Sequence, residues 1–221
     1  EKYNGLGYQN LISMIFKLIR FRDEWMKVGK IAKNSTHEIE PLHIILVEEP
    51  EAHLHAQVQQ VFIRKAYDVL RNHDHLKEKK DFCTQLIIST HSSHIAHECD
   101  FKSLRYFKRN ITQNQIPTST VINLSKTFGA EDETTKFAKR YLKTIHCDLF
   151  FADAAILIEG QAERMLLPFF INQEFPKLAS AYISLLEIGG SHAHRLRSLI
   201  DDLGIITLIV TDIDSVDPNA H

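Results

Sequence analysis

The chain has 221 residues, 44% of them apolar and 24% charged, with 26 Lys plus Arg against 28 Asp plus Glu for a formal charge of −2. These are ordinary globular proportions, which exclude disordered, collagen-like and coiled-coil classes, and the near-neutral balance means that any basic site must be local. At ~100 to 200 residues per domain the length fits one large or two small domains, and two are expected.

The three cysteines, Cys83, Cys99 and Cys147, are far apart with no CxxC pair, and no charged-then-apolar leader opens the chain. A reducing, cytoplasmic compartment is the expectation. The longest apolar runs, Ala154 to Ile158 and Ile205 to Val210, fall far short of the ~20 residues of a membrane helix.

Leu11, Ile12, Ile15, Phe16, Leu18 and Ile19 recur at helical spacing, so the sequence predicts an amphipathic helix from Gly7 to about Trp25, preceded by Gly5 and Gly7. His43 to Val47 is a short apolar run closed by Glu48-Glu49-Pro50, which predicts a buried strand of a parallel sheet. A helix follows from about His55 to Leu70, with Val58, Val61, Phe62, Ala66, Val69 and Leu70 on its apolar face. A second buried strand, Gln85 to Ser89, ends in Thr90-His91-Ser92-Ser93. Ligands bind at the carboxyl ends of such strands, so chemistry is expected around Glu48, Glu49 and His91.

Farther on, Ser103 to Lys108 and Thr120 to Leu124 read as short strands and Asp132 to His146 as a helix with Phe137, Tyr141, Leu142 and Ile145 on its apolar face. A new alternation then begins: strand Ala154 to Ile158, helix Ala162 to Asn172, strand Ala181 to Ile188, helix His192 to Leu203, strand Ile205 to Thr211. This βαβαβ pattern places a domain boundary between His146 and Ala154.

Ile44-Ile-Leu-Val-Glu48-Glu49 has the form of a Walker B segment, in which one carboxylate, Glu48, helps hold magnesium and its neighbour Glu49 orients the attacking water. Alone, such a strand end is as well explained by a solvated acidic turn. In the second unit Glu159-Gly160-Gln-Ala-Glu163 ends the first strand and Asp212-Ile-Asp214 follows the third. In a parallel sheet both ends open onto one edge, where clustered carboxylates suit magnesium or manganese. Glu163, one turn after Glu159, reads equally as an exposed acid at a helix start.

Glu48-Glu-Pro-Glu-Ala-His-Leu-His55 resembles the Walker B and D-loop of ABC-type ATPases of the SMC-like and OLD (overcoming lysogenization defect) groups. Ile87-Ile-Ser-Thr-His91-Ser resembles their switch-histidine segment, and Asn4-Gly-Leu-Gly-Tyr-Gln9-Asn their signature motif, all in the family order. Glu48 stands where the ABC pattern has Asp, and Asn4 where the signature has Ser. The Glu-Gly and Asp-x-Asp pair resembles the Toprim pattern, and Toprim directly after an ABC lobe is the layout of OLD-family endonucleases.

The resemblance implies an α/β chain: the C-terminal part of an ABC-type ATPase lobe, residues 1–147, followed by a partial Toprim domain, a parallel βαβαβ unit at 148–221. It implies ATP contacts by Asn4, Gly5, Gly7, Gln9, Glu48, Glu49 and His91. Glu49 and His91 would act in hydrolysis, and Glu48 would help hold magnesium. It implies Toprim catalysis by Glu159, Asp212 and Asp214, with Mg2+ or Mn2+ on these three and Glu163. A close backbone turn at Gly189-Gly190 fits the same fold.

The phosphate-cradling G-x-x-x-x-G-K-[ST] loop is not found around any of the eight glycines, so the chain is expected to be a fragment of a longer protein and inactive alone. That protein is expected to be an ATP-regulated DNA endonuclease or nickase of antiphage defence, a homodimer or higher homo-oligomer through its ATPase lobes, working with a helicase-like partner. The alternative is an ATP-switched repair or scaffold ATPase whose Toprim unit binds without cleaving.

Two further features are left without a role. His91, His94, His97 and Cys99 share no single face that would suit zinc. Lys136, Lys139, Arg140 and Lys143 fall on one helical face, with Arg195 and Arg197 downstream. Without stacking aromatics, that face reads as solvated.

Overall fold

The computed structural model describes residues 5–28, 39–74, 76, 81–110, 116–127, 133–145, 147–189 and 192–212. They form two compact units, Glu1–Cys99 and Asp100–His221. By contacts, the units divide between Cys99 and Asp100. Residues after Asp100 fold with the second sheet because the helix over Glu133–Ile145 is tied to it: the Tyr141 hydroxyl donates to the Glu187 carbonyl at 2.7 Å.

The first unit runs α1 (Leu6–Trp25), β1 (Leu42–Glu48), α2 (Ala56–Arg71), β2 (Cys83–Ser89) and α3 (Ser93–Glu98). β1 and β2 pair in parallel from Leu42↔Cys83 to Glu48↔Ser89, so the acid pair and the histidine segment leave the sheet side by side. The core is Leu18 of α1, Ile45 of β1 and Phe62, Ala66 and Leu70 of α2. Arg22 of α1 donates to the carbonyls of Val69 and Asn72 at 3.1 and 2.8 Å, satisfying acceptors that the end of α2 leaves open.

The strands expected to be buried are buried on one face only. Ile45 is 5% exposed, whereas Ile44 and Leu46 are 48% and 74% exposed, because the core cluster gathers both helices against the Ile45 face. Ile12, Phe16 and Val61, placed on apolar faces by spacing, are likewise exposed.

The second unit carries an antiparallel hairpin, β3 (Arg105–Asn110) with β4 (Thr118–Asn123), then α4 (Glu133–Ile145). Its parallel sheet has the order β6-β5-β7, with β5 (Ala154–Ile158) in the centre, β6 (Ile183–Glu187) and β7 (Ile206–Ile209). α5 (Gln161–Glu174) and α6 (Arg197–Leu203) are the crossover helices. Ala155, Ile156, Leu157 and Ile158 are all buried, as expected of a central parallel strand.

The helix expected from His192 begins instead as a 3-10 turn, Ala193–Leu196, closed by the Arg195 amide on the His192 carbonyl at 3.0 Å. The chain enters it through Gly189, whose φ of 36° favours a residue without Cβ. Gly190 lies outside the described residues. Among the described residues no helix is long and apolar enough to cross a membrane.

Candidate functional site

In the first unit the loop after β1 is bent hard. Glu49 has φ 43° and His53 φ 63°, left-handed values that cost on the order of 1–3 kcal/mol each in residues other than glycine. The loop is pinned nonetheless, because the Glu49 amide donates to the Ser89 carbonyl at 2.9 Å and prolongs the β1–β2 ladder into the site. Gly7 closes it from α1: a Cβ there would stand 2.6 Å from the His53 carbonyl oxygen, against backbone that cannot yield. Gly5 caps α1 and Gln9 lies in its first turns, the Gln9 amide donating to the Gly5 carbonyl at 3.3 Å. Asn4 lies outside the described residues.

Glu49 and His91, paired by the sequence, are brought together. His91 Nδ1 is 3.5 Å from Glu49 Oε1, both side chains being mostly exposed. Glu48 ends β1 opposite Ser89 of β2.

Beneath them lies a residue that sequence spacing did not single out. Glu51 is 9% exposed, and its Oε1 accepts from Thr90 Oγ1 and the His91 amide, each at 2.8 Å, while His91 Nδ1 lies 3.5 Å from the same oxygen. Glu51 Oε2 is buried with no hydrogen-bond partner among the described residues. A buried acceptor left unpaired costs roughly 1–3 kcal/mol.

Gln59 of α2 braces the other side of the same loop. Its Nε2 donates to the Leu54 carbonyl at 2.8 Å and its Oε1 accepts from Ser92 Oγ at 2.6 Å. Ser92, whose hydroxyl donates to Gln59, makes no side-chain cap on α3. The sequence showed clustered acids and hydroxyls here, but not which of them face inward.

In the second unit the parallel register carries three strand ends to one edge. Glu159 follows β5, and its Oε2 accepts from the Asp212 amide at 2.9 Å, joining the ends of the first and third strands. The Val210 amide donates to the Leu157 carbonyl at 2.8 Å and continues the β5–β7 ladder to that point. Glu163 Oε2 accepts from the Gly160 amide at 3.0 Å, the role of an acid in the first turn of α5. Asp214 lies outside the described residues, and among the described residues no three metal-ligating side chains form a group.

Glu187, absent from the sequence-based set, ends β6 at the same edge and pairs in register with Ile158, the residue before Glu159. Its carboxylate accepts from Gln161 Nε2 at 2.7 Å and lies 3.8 Å from the Arg164 guanidinium. Burial, with the Glu187 charge nearby, pushes the Tyr141 phenol well above its ordinary value, so it remains a donor to the Glu187 carbonyl.

The same tyrosine belongs to an aromatic cluster on the basic helix. Phe137 and Tyr141 of α4 stack at 5.7 Å and 13°, Arg195 lies over the Phe137 ring at 5.1 Å, and His192 packs on it at 5.2 Å. The helix bearing Lys136, Lys139 and Arg140 therefore carries a stacked aromatic pair of its own, joined by His192 and Arg195 from a turn too distant in sequence for spacing to detect.

Residues 1–96 match the AAA ATPase domain family, and residues 150–214 match the TOPRIM domain described as overcoming lysogenization defect protein-like. The chain belongs to the OLD family. It is 33% identical over 224 residues to Endonuclease GajA of Bacillus cereus strain HuB5-5, covering 97% of this chain and 31% of that protein. It is 26% identical over 171 residues to Endonuclease GajA of Bacillus cereus strain VD045, covering 77% and 26%, and 29% identical over 190 residues to OLD nuclease of Thermus scotoductus, covering 84% and 30%. The chain thus spans under a third of the length of these curated relatives. The expected order, ATPase region before Toprim, is the order of the two family matches.

Proposed function

We propose that the longer protein containing this chain is an ATP-regulated, divalent-metal-dependent DNA endonuclease or nickase of OLD type, acting in the cytoplasm in antiphage defence. The observation that carries the reading is the Glu159–Asp212 tie at 2.9 Å, which sets the acid of the first strand beside the aspartate segment after the third. The relatives named endonuclease and nuclease support it from a separate direction.

The donors at this edge are carboxylates, hard oxygen ligands that fit magnesium or manganese. Glu159, Glu163, Asp212 and Asp214 would hold the metal, which when bound lowers the pKa of water and stabilises a leaving oxygen. Glu159 also orients the Asp212 main chain, and Glu163 fixes the turn at Gly160. Lys136, Lys139, Arg140 and Arg195, with the Phe137–Tyr141 stack, offer phosphate and base contacts for DNA.

In the ATPase region Glu49 would polarise the attacking water, Glu48 would help hold magnesium, and His91 would meet the terminal phosphate. Gly5, Gly7 and Gln9 at the start of α1, together with Asn4, would serve the nucleotide of a partner protomer, which makes the ATPase lobes the homodimer contact, open to a higher homo-oligomer. A helicase-like protein is the further partner proposed.

The test is cleavage of supercoiled plasmid by the full-length protein with magnesium or manganese, with and without ATP, beside an Asp212→Ala plus Asp214→Ala variant. Metal-dependent nicking is expected, reduced in the variant by at least about a hundredfold. No cleavage with either metal, or cleavage indifferent to both substitutions, would leave an ATP-switched binding or scaffold protein as the better account.

A further inference from the structure

The acid loop and the histidine turn meet on Glu51, a side chain with no part in the hydrolysis assigned above. Its Oε1 gathers three groups of one turn: the Thr90 hydroxyl at 2.8 Å, the His91 amide at 2.8 Å and His91 Nδ1 at 3.5 Å. Thr90 Oγ1 in turn accepts from the Ser92 amide at 3.0 Å, so the carboxylate organises Thr90, His91 and Ser92 together. Glu49 approaches the same Nδ1 at 3.5 Å from the exposed side.

We propose that Glu51 is the positioning residue of the ATPase half-site, holding His91 from beneath so that Nδ1 carries its proton toward the two carboxylates and Nε2 is presented outward as the reacting nitrogen. This role rests on the ATPase reading of Glu49 and His91. A carboxylate beside one ring nitrogen selects the tautomer protonated there, which leaves the other nitrogen as the acceptor. The contrast in burial suits this division of roles, since the Glu51 side chain is 8% exposed and the His91 side chain 68%. A fixed acceptor thus lies under a ring that solvent and ligand can reach.

Stability alone does not account for this residue. Glu51 Oε2 is buried and without a hydrogen-bond partner among the described residues, so the carboxylate is kept in place at a cost that a residue serving only to tie the turn would avoid. The neighbouring Gln59 already braces the loop from Leu54 to Ser92 with both ends of its amide paired. Glu51 adds what an amide cannot, a full negative charge facing the imidazole.

The experiment is steady-state ATP hydrolysis by the full-length protein and by Glu51→Gln, His91→Ala and the double variant, with a melting temperature for each. Glu51→Gln keeps an oxygen for Thr90 and the His91 amide but loses the charge. It is expected to lower kcat at least about tenfold, with KM for ATP and the melting temperature near wild type. On the His91→Ala background the same change is expected to add nothing, because Glu51 acts through that ring. Wild-type kcat in Glu51→Gln, a loss accompanied by an equal rise in KM, or losses that add in the double variant would each overturn the assignment. A wild-type protein without ATP turnover would instead remove the ATPase reading, and the positioning role with it.

Discussion

Both units place acids at the carboxyl ends of parallel strands, yet they restrain those acids in opposite ways. In the first, a buried side chain does the holding: Glu51 and Gln59 reach across from the acid loop and α2 to fix the turn that carries His91. In the second, the acids themselves hold the backbone, Glu159 on the Asp212 amide and Glu163 on the Gly160 amide. The difference matches the chemistry proposed for each. A histidine must present one nitrogen in one direction, which calls for a support beneath it. A metal gathers carboxylates by its own charge, so it is enough that the strand ends lie together.

If the two sites are separate constructions, each can be removed without the other. The largest effect is expected from Glu49→Gln, which retains size and removes the charge that would polarise water. ATP turnover should fall by roughly 10²–10⁴-fold, while metal-dependent plasmid cleavage without nucleotide keeps its wild-type rate. Loss of both activities together would show that the Toprim edge needs the first unit's carboxylate, and the two sites would then be one construction.

The same separation can be tested in the cores. Phe62 is 3% exposed and packs with Leu18, Ile45, Ala66 and Leu70. Phe62→Ala is expected to cost about 3–5 kcal/mol. Hydrogen exchange on the full-length protein should then show protection lost in β1 and α2 and kept in β5 and β6. Equal loss in both sheets would mean that the units unfold as one.

The elements of both sheets were legible in the sequence because their apolar runs are short, bounded and separated by helical spacing. Leu42–Glu48, Cys83–Ser89 and Ala154–Ile158 lie where the runs His43 to Val47, Gln85 to Ser89 and Ala154 to Ile158 predict. The bringing together of Glu49 with His91, and of Glu159 with the Asp212 segment, was legible from strand order. Two things were not. Burial of β1 on one face cannot be read from a run of four apolar residues, Ile44 to Val47, which looks the same whether one side or both are covered. Nor can the inward turn of Glu51, because a glutamate in an acidic loop has the pattern of a solvated one until the fold places Thr90 and His91 over it. The contact of Arg195 with the Phe137 ring was missed for a related reason, since it comes from a turn nearly 60 residues away in sequence.

A smaller effect separates charge from packing in the support beneath His91. Arg64 of α2 makes a forked contact with Glu98 of α3, Nε to Oε2 at 2.5 Å and Nη2 to Oε1 at 2.7 Å, anchoring the helix that follows the histidine turn. The Arg64 hydrogen bond, partly opposed by burial and aided by the charges of Arg64 and His97, holds the Glu98 carboxyl below its ordinary value. Since the folded value lies under the unfolded one, near ~4.3 for glutamate, the contact contributes fully above that pH and is lost as pH falls through it toward the folded value. Arg64→Gln should therefore lower the melting temperature slightly at neutral pH, with the gap from wild type closing in acid. The effect is expected to be small because Arg64 is 60% exposed and screened by solvent. A gap that stays constant down to pH ~3, well below the unfolded value, would assign the contribution to the packing of the arginine stem, and α3 would then be held without help from charge.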